Sequence, residues 1–251
     1  MIGKDEILEY MRRHSYKPMT VEELSEELKI KSVSRLKILL GQLEQEGEIV
    51  LTRKGRYGLP GKMNLRAGRI QGNAKGFAFL VPDDPNEQDV FILNEDLNGA
   101  MHNDRAIVRL YRHLADGRKR EGKVIRILKR ANELVVGTYE NSRNFGFVIP
   151  DEKRLGHDIF IPKDETGGAG NGDKVVVKIT RWPGPRRSPE GKIIEVLGHK
   201  EEPGTDVLSI VRKYRLHMHW FPYGPAFNVL ISKRIDNIHR LDPAAFFYCH
   251  A

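Results

Sequence analysis

Six phenylalanines in this 251-residue chain are spaced so that their rings could act together. Phe77 and Phe79 flank Ala78, and Phe145 and Phe147 flank Gly146. Phe91 and Phe160 follow within Asp89-Val-Phe-Ile92 and Asp158-Ile-Phe-Ile161. Side chains two apart on a strand share a face, so each flanking pair points one way and a ring on the next strand can join it. Lys75 and Arg143 stand just before the paired rings. Such a cluster suits stacking on unpaired nucleobases, worth about 1–3 kcal/mol per base whatever the base, with the cations meeting phosphates. Phenylalanine is more often core. A core role would turn Ala78 and Gly146 toward solvent and leave the small positions outside, a less economical arrangement. The candidate binding set is therefore Lys75, Phe77, Phe79, Phe91, Arg143, Phe145, Phe147 and Phe160.

Other chemistry is thinly represented. Cys249 is the single cysteine, so neither a disulfide framework nor a thiolate metal site can be built. His217 and His219 lack further placed ligands, and no catalytic or metal site is expected. The net charge is +8. The window 105–130 holds ten Lys or Arg against Asp116 and Glu121, which equals the charge of the whole chain. Such a balance suits a polyanionic partner, although charge runs are commonly solvated faces. No apolar run approaches the roughly 20 residues of a membrane span, and no apolar signal core opens the chain. With its single cysteine, the chain is expected to work in the cytoplasm without membrane attachment.

The elements that position the rings are legible from a repeat. Phe77-Ala-Phe-Leu-Val-Pro-Asp83 recurs as Phe145-Gly-Phe-Val-Ile-Pro-Asp151, 68 residues on. Asp89-Val-Phe-Ile92, Gly99-Ala100 with Asp104, and Glu121-Gly-Lys-Val124 each recur 69 residues on. Strands are predicted at 68–72, 77–82, 90–93, 105–111 and 122–128, and again at 135–140, 145–150, 159–162, 174–180 and 192–197. They are short, rich in β-branched residues and separated by Gly, Asp, Asn and Pro. Five short antiparallel strands in so small a unit imply a closed or nearly closed barrel, which removes exposed edges. The fold class is thus multidomain and mainly β, with two OB-type barrels over 63–131 and 132–200.

Residues 1–62 read as a winged helix. One helix is predicted near 4–13. A second follows the capping box Thr20-Val-Glu-Glu23 and carries Val21, Leu24 and Leu28. A third starts near Ser32, carries Val33, Leu36, Leu40 and Leu43, and ends at Gly47. A strand at 48–52, the basic turn Arg53-Lys-Gly-Arg56 and Tyr57-Gly-Leu59 would form the wing, with Pro60-Gly-Lys62 as linker. In a duplex-binding version the third helix enters the major groove. Lys31, Arg35 and Lys37 favour that role and Glu44 and Glu46 oppose it.

Lys75-Gly-Phe-Ala-Phe-Leu80 with Asp89-Val-Phe-Ile92, and Asn144-Phe-Gly-Phe-Val-Ile149 with Asp158-Ile-Phe-Ile161, resemble the two RNP motifs of cold-shock domains. The family often has His after the second motif, where this sequence has Leu93 and Pro162. The whole order over about residues 1–213 is similar to the N-terminal half of the bacterial ribonuclease R family, within the RNB exoribonucleases. Arg56-Tyr-Gly-Leu-Pro60, Leu97-Asn-Gly-Ala-Met101 and Asp206-Val-Leu-Ser-Ile-Val-Arg-Lys213 carry that likeness beside the barrels. The resemblance implies a processive 3′-to-5′ exoribonuclease of the cytoplasm whose barrels guide single-stranded RNA. It also implies Mg²⁺ held by an Asp cluster in a downstream nuclease domain that this chain does not contain. The expectation is RNA binding without catalysis or cofactor in this chain, with single-stranded DNA a second candidate ligand. The competing readings are an exoribonuclease completed in trans or by unrecognised residues, and a winged-helix regulator of duplex DNA.

The family pattern stops near Tyr214. The region 201–251 reads as a linker and an anomalous tail, with only Asp236 and Asp242 as acids after Tyr214. A truncated or frameshifted reading frame is the expected cause. The apolar Phe246-Phe-Tyr-Cys249 would be an aggregation liability if uncovered.

Overall fold

The computed structural model describes residues 3–14, 17–111, 120–142, 145–184 and 187–214, together with the strand dipeptides 218–219 and 230–231. Helix α1 (Lys4–His14) buries Ile7, Leu8 and Met11. Helix α2 (Val21–Glu27) begins with the expected capping box. Thr20 Oγ1 accepts from Glu23 N at 3.2 Å, and Glu23 Oε2 accepts from Thr20 N at 2.8 Å. Arg56 Nη1 also donates to that carboxylate at 3.0 Å and so ties the wing to the cap. Helix α3 (Val33–Gln45) starts where Ser32 accepts from Arg35 N. It ends where Glu48 N donates back to Leu43 O at 3.0 Å. Leu36, Leu40 and Leu43 are buried, but Val33, expected on the same apolar stripe, is exposed. Strands β1 (Val50–Leu51) and β2 (Tyr57–Gly58) form the wing, and a Met19–Tyr57 bridge extends it.

The first barrel comprises β3 (Leu65–Gly72), β4 (Ala78–Pro82), β5 (Val90–Ile92), β6 (Arg105–Leu110) and β7 (Gly122–Lys129). Its hydrogen-bonded order is β5-β4-β3-β6-β7. Among the described residues the edges meet through a single parallel bridge between Phe91 and Glu121, so this sheet is nearly rather than fully closed. The second barrel comprises β8 (Leu134–Asn141), β9 (Gly146–Pro150), β10 (Ile159–Ile161), β11 (Asp173–Arg181) and β12 (Glu190–His199), and it closes in the order β10-β12-β11-β8-β9. Its closing pair is Phe160–Glu190, the repeat equivalent of Phe91–Glu121. Gly122 and Gly191 sit beside these seams. A Cβ there would lie 2.6 Å from Val108 Cγ1 and 2.4 Å from Val177 Cγ1, so the recurring glycine keeps the last strand close. The recurring aspartates also have a structural use: Asp83 pairs with Arg105 and Asp151 with Lys174.

The units are joined by side chains. Val50, Leu65 and Ile107 are buried together between the wing and the first barrel. Glu44 at the end of α3 pairs with Arg126 on β7, and Arg105 Nη2 donates to Glu46 O at 2.5 Å. Pro60–Met63 is a 3₁₀ turn, so the expected linker is short and ordered. Between the barrels, Met101 leaves the first barrel and is buried in the core cluster of the second. Arg130 donates to Gly99 O at 2.7 Å and to the buried Asp104 at 2.8 Å, and it lies 4.4 Å over the Trp182 ring. Residues 205–213, assigned by sequence to the linker and tail, form helix α4 (Thr205–Lys213). It packs on the second barrel with Val211 buried, and Arg212 makes paired hydrogen bonds to Glu195 at 2.7 and 2.8 Å. Beyond it, Met218–His219 pairs with Leu230–Ile231. His217 and Phe246-Phe-Tyr-Cys249 lie outside the described residues.

Candidate nucleic-acid interface

The strand register decides which side of each barrel carries the rings. Ala78, Leu80 and Val90 are fully buried, so Phe77, Phe79 and Phe91 are turned outward. Val148, Ile159 and Ile161 are likewise buried, which turns Phe145, Phe147 and Phe160 outward. Side chains alternate between barrel interior and ring face in both copies. Phe79 is cross-strand partner to Phe91, and Phe147 to Phe160.

The two clusters have nearly the same dimensions. In the first, centroids are 5.8 Å apart for Phe77–Phe79, 5.5 Å for Phe77–Phe91 and 5.6 Å for Phe79–Phe91. In the second they are 5.5 Å for Phe145–Phe147, 5.8 Å for Phe145–Phe160 and 5.8 Å for Phe147–Phe160. The pairs meet edge-to-face or tilted, the arrangement the ring quadrupole favours. Each ring is thereby propped by two others and none is fully buried. Phe145 is 39% exposed and the other five are half-buried. Such a platform can take flat, unpaired bases without first rearranging.

The charged part of the expected set divides. Lys75 is exposed at the tip of the β3–β4 turn, where its N–H donates to Asn73 Oδ1 at 2.9 Å. Arg143 lies outside the described residues, as does Asn144. Four of the ten cations in the basic window 105–130 are paired with acids, and Arg112, Arg118 and Lys119 lie outside the described residues. Arg105, Lys123, Arg126 and Arg130 are engaged by Asp83, Asp96, Glu44 and Asp104. Arg105 and Arg126 bond to the end of α3 and Arg130 reaches the second barrel, whereas Lys123 pairs within the first barrel.

Register also reveals neighbours that sequence reasoning missed. Gln71 is the partner of Phe79, and Glu140 is the partner of Phe147. Directly paired residues share a face, so both polar groups border the rings. Two residues earlier, Arg69 and Thr138 occupy the equivalent places. Repeat alignment through Gly68 and Gly137 would have found these pairs, but only strand pairing shows that they border the rings.

Near the first ring cluster, the barrels meet in a cleft lined by Phe77, Asn94, His102 and Arg154. His102 is buried, and its Nδ1 accepts from Gly72 N at 3.1 Å, which places its proton on Nε2. Burial, then the charge of Arg154, pushes its pKa down to about 4. Arg154 is held by two hydrogen bonds to Glu152, at 2.7 and 2.9 Å, which bring that carboxyl down to about 2. Among the described residues there is no group of three His, Cys, Asp or Glu placed to hold a metal. They do not fit the carboxylate cluster that metal-assisted phosphodiester hydrolysis needs. No helix among them is long and apolar enough to cross a membrane.

A ribonuclease B OB domain model matches residues 68–127, and a cold shock domain model matches residues 147–221. Ribonuclease R of Thermotoga maritima is 32% identical over 222 residues, covering 86% of this chain and 30% of that protein. Ribonuclease R of Escherichia coli is 33% identical over 221 residues, covering 87% of this chain and 27% of that protein. The chain thus spans about a third or less of these two relatives. Among solved structures, Mycoplasma genitalium RNase R in complex with ribose methylated single-stranded RNA superposes with a TM-score of 0.55 at 19% identity, over 62% of this chain and 25% of that one.

Proposed function

This chain belongs to the ribonuclease R (RNB) family and matches its N-terminal portion; on that premise we propose that it grips single-stranded RNA through two base-stacking faces and does not itself cleave the strand. The observation that carries this reading is the duplicated ring triad. Two clusters of three outward phenylalanines, with centroids 5.5–5.8 Å apart, recur on two barrels. Stacking accepts any base, while Lys75 and Arg143 would meet the backbone. In the full relatives this grip would feed a strand to a nuclease domain, and any Mg²⁺ would belong there.

The test is binding of the purified chain to single-stranded RNA, single-stranded DNA and duplex DNA over a salt series, with Mg²⁺ present. Tightest binding to single-stranded RNA is expected, with a steep salt slope and intact RNA afterwards. RNA shortening from the 3′ end that survives stringent purification would overturn the absence of catalysis. Tight sequence-specific duplex binding would favour a regulator.

A further inference from the structure

The two ring triads match in geometry and differ in what borders them. On the first barrel, Phe79 is paired with Gln71, and Arg69 lies two residues before it on the same face of β3. On the second, Phe147 is paired with Glu140, and Thr138 takes the place of Arg69. Glu140 is exposed, and its side chain has no hydrogen bond or ion pair among the described residues. Its neighbour Tyr139 is buried in the barrel, so the carboxylate must lie on the ring side.

Opposed side chains on an antiparallel pair have Cβ atoms about 4.5–5.5 Å apart. A base stacked on Phe147 therefore presents its edge within reach of the Glu140 carboxylate. A carboxylate only accepts hydrogen bonds. Cytosine offers N4–H, adenine N6–H, and guanine adjacent N–H donors on its Watson–Crick edge. Uracil offers a single N3–H between two carbonyl oxygens, which repel the carboxylate. Gln71 has both a donor and an acceptor and can suit any base.

We propose that Glu140 makes the second stacking face selective for amino-bearing bases over uracil, while the first face, with Gln71 and Arg69, is indifferent to base. This rests on the stacking function proposed above. The division has a physical logic, because a negative charge beside a phosphate path weakens binding unless a base donor meets it.

The experiment uses the full chain with Phe77→Ala and Phe79→Ala, so that binding reports the second barrel. Affinities for oligo(U), oligo(C) and oligo(A) RNA are measured with and without Glu140→Gln, and thermal melts confirm folding. The expected result is a preference of about fivefold or more for oligo(C) and oligo(A) over oligo(U), which Glu140→Gln reduces to near unity by strengthening oligo(U) binding. An unchanged ratio in Glu140→Gln would overturn the proposal. So would an equal gain for all three oligomers, which would make Glu140 a simple repulsive charge. Failure of the unmutated chain to bind any oligomer would instead refute the stacking function.

Discussion

Gly146 abuts the ring of Tyr139: a Cβ on residue 146 would lie 2.2 Å from Tyr139 Cε2 and 2.4 Å from its hydroxyl oxygen. In the first barrel the equivalent positions are Ile70 and Ala78, both fully buried. The repeat has exchanged volume between neighbouring strands, with a larger residue on β8 and a smaller one on β9. The Phe-Gly-Phe of the second motif is therefore a packing requirement inside the barrel as well as a way to space two rings outside it.

Gly146→Ala should destabilise the second barrel by roughly 1–3 kcal/mol through overpacking. Adding Tyr139→Ile, which imitates the first barrel, should recover part of that loss. Urea unfolding of the single and double variants measures both. An additive loss in the double variant would contradict the compensation.

Arg130→Ala removes the cation paired with the buried Asp104 and the stacking partner of Trp182. A buried carboxylate losing its partner should cost roughly 3 kcal/mol, partly relieved here by the Met101 and Ala131 N–H donors to the same group. Arg130→Lys should recover only part of this, since an ammonium does not stack flat on the indole. Denaturant melts read the stability. Affinity should fall more for an RNA long enough to span both faces than for one that fills a single face, because the barrels would no longer be held in one geometry.

His102 should make stability depend on pH in a defined window. Its pKa is pushed down to about 4 in the folded chain from an ordinary 6.5. Above pH 6.5 the ring is neutral whether folded or not, and there is no penalty. As pH falls below 6.5 the unfolded chain takes up the proton first, so stability declines until the folded ring is protonated near pH 4. The loss at pH 5 is roughly 2 kcal/mol. Protonation would also set an N–H against the Gly72 N–H that Nδ1 now accepts. Melting at pH 7 and pH 5 should therefore show a larger drop for the natural chain than for His102→Gln, whose amide oxygen can still accept from Gly72.

Replacing Phe77, Phe79, Phe145 and Phe147 together with alanine should weaken binding to single-stranded RNA by several kcal/mol, at about 1–3 kcal/mol per stacked base. Fold stability should change little, because these rings lie outside the barrel cores. Fluorescence anisotropy and a thermal melt separate the two effects. Equal affinity in the quadruple variant would refute the stacking assignment.

The six rings and the ten barrel strands were legible in the sequence because their signals are local. Alternation with a period of two, turn residues between short runs and a recurring Phe-small-Phe need no knowledge of distant contacts. The capping box at Thr20 and the start of α3 at Ser32 were readable for the same reason. Charge was a poorer guide: Arg105, Arg126 and Arg130 look like part of a nucleic-acid face, yet each is engaged by a residue of another element.

By itself, then, the sequence determined which side chains line up along each strand, since backbone pleating imposes that on any extended segment. Tertiary structure alone decided what each strand lies beside. It set Glu140 against Phe147 and Gln71 against Phe79, put Met101 into the core of the next barrel and placed Arg130 over Trp182. Those contacts join residues far apart in the chain, and their energies come from burial, pairing and register that exist only once the strands have closed.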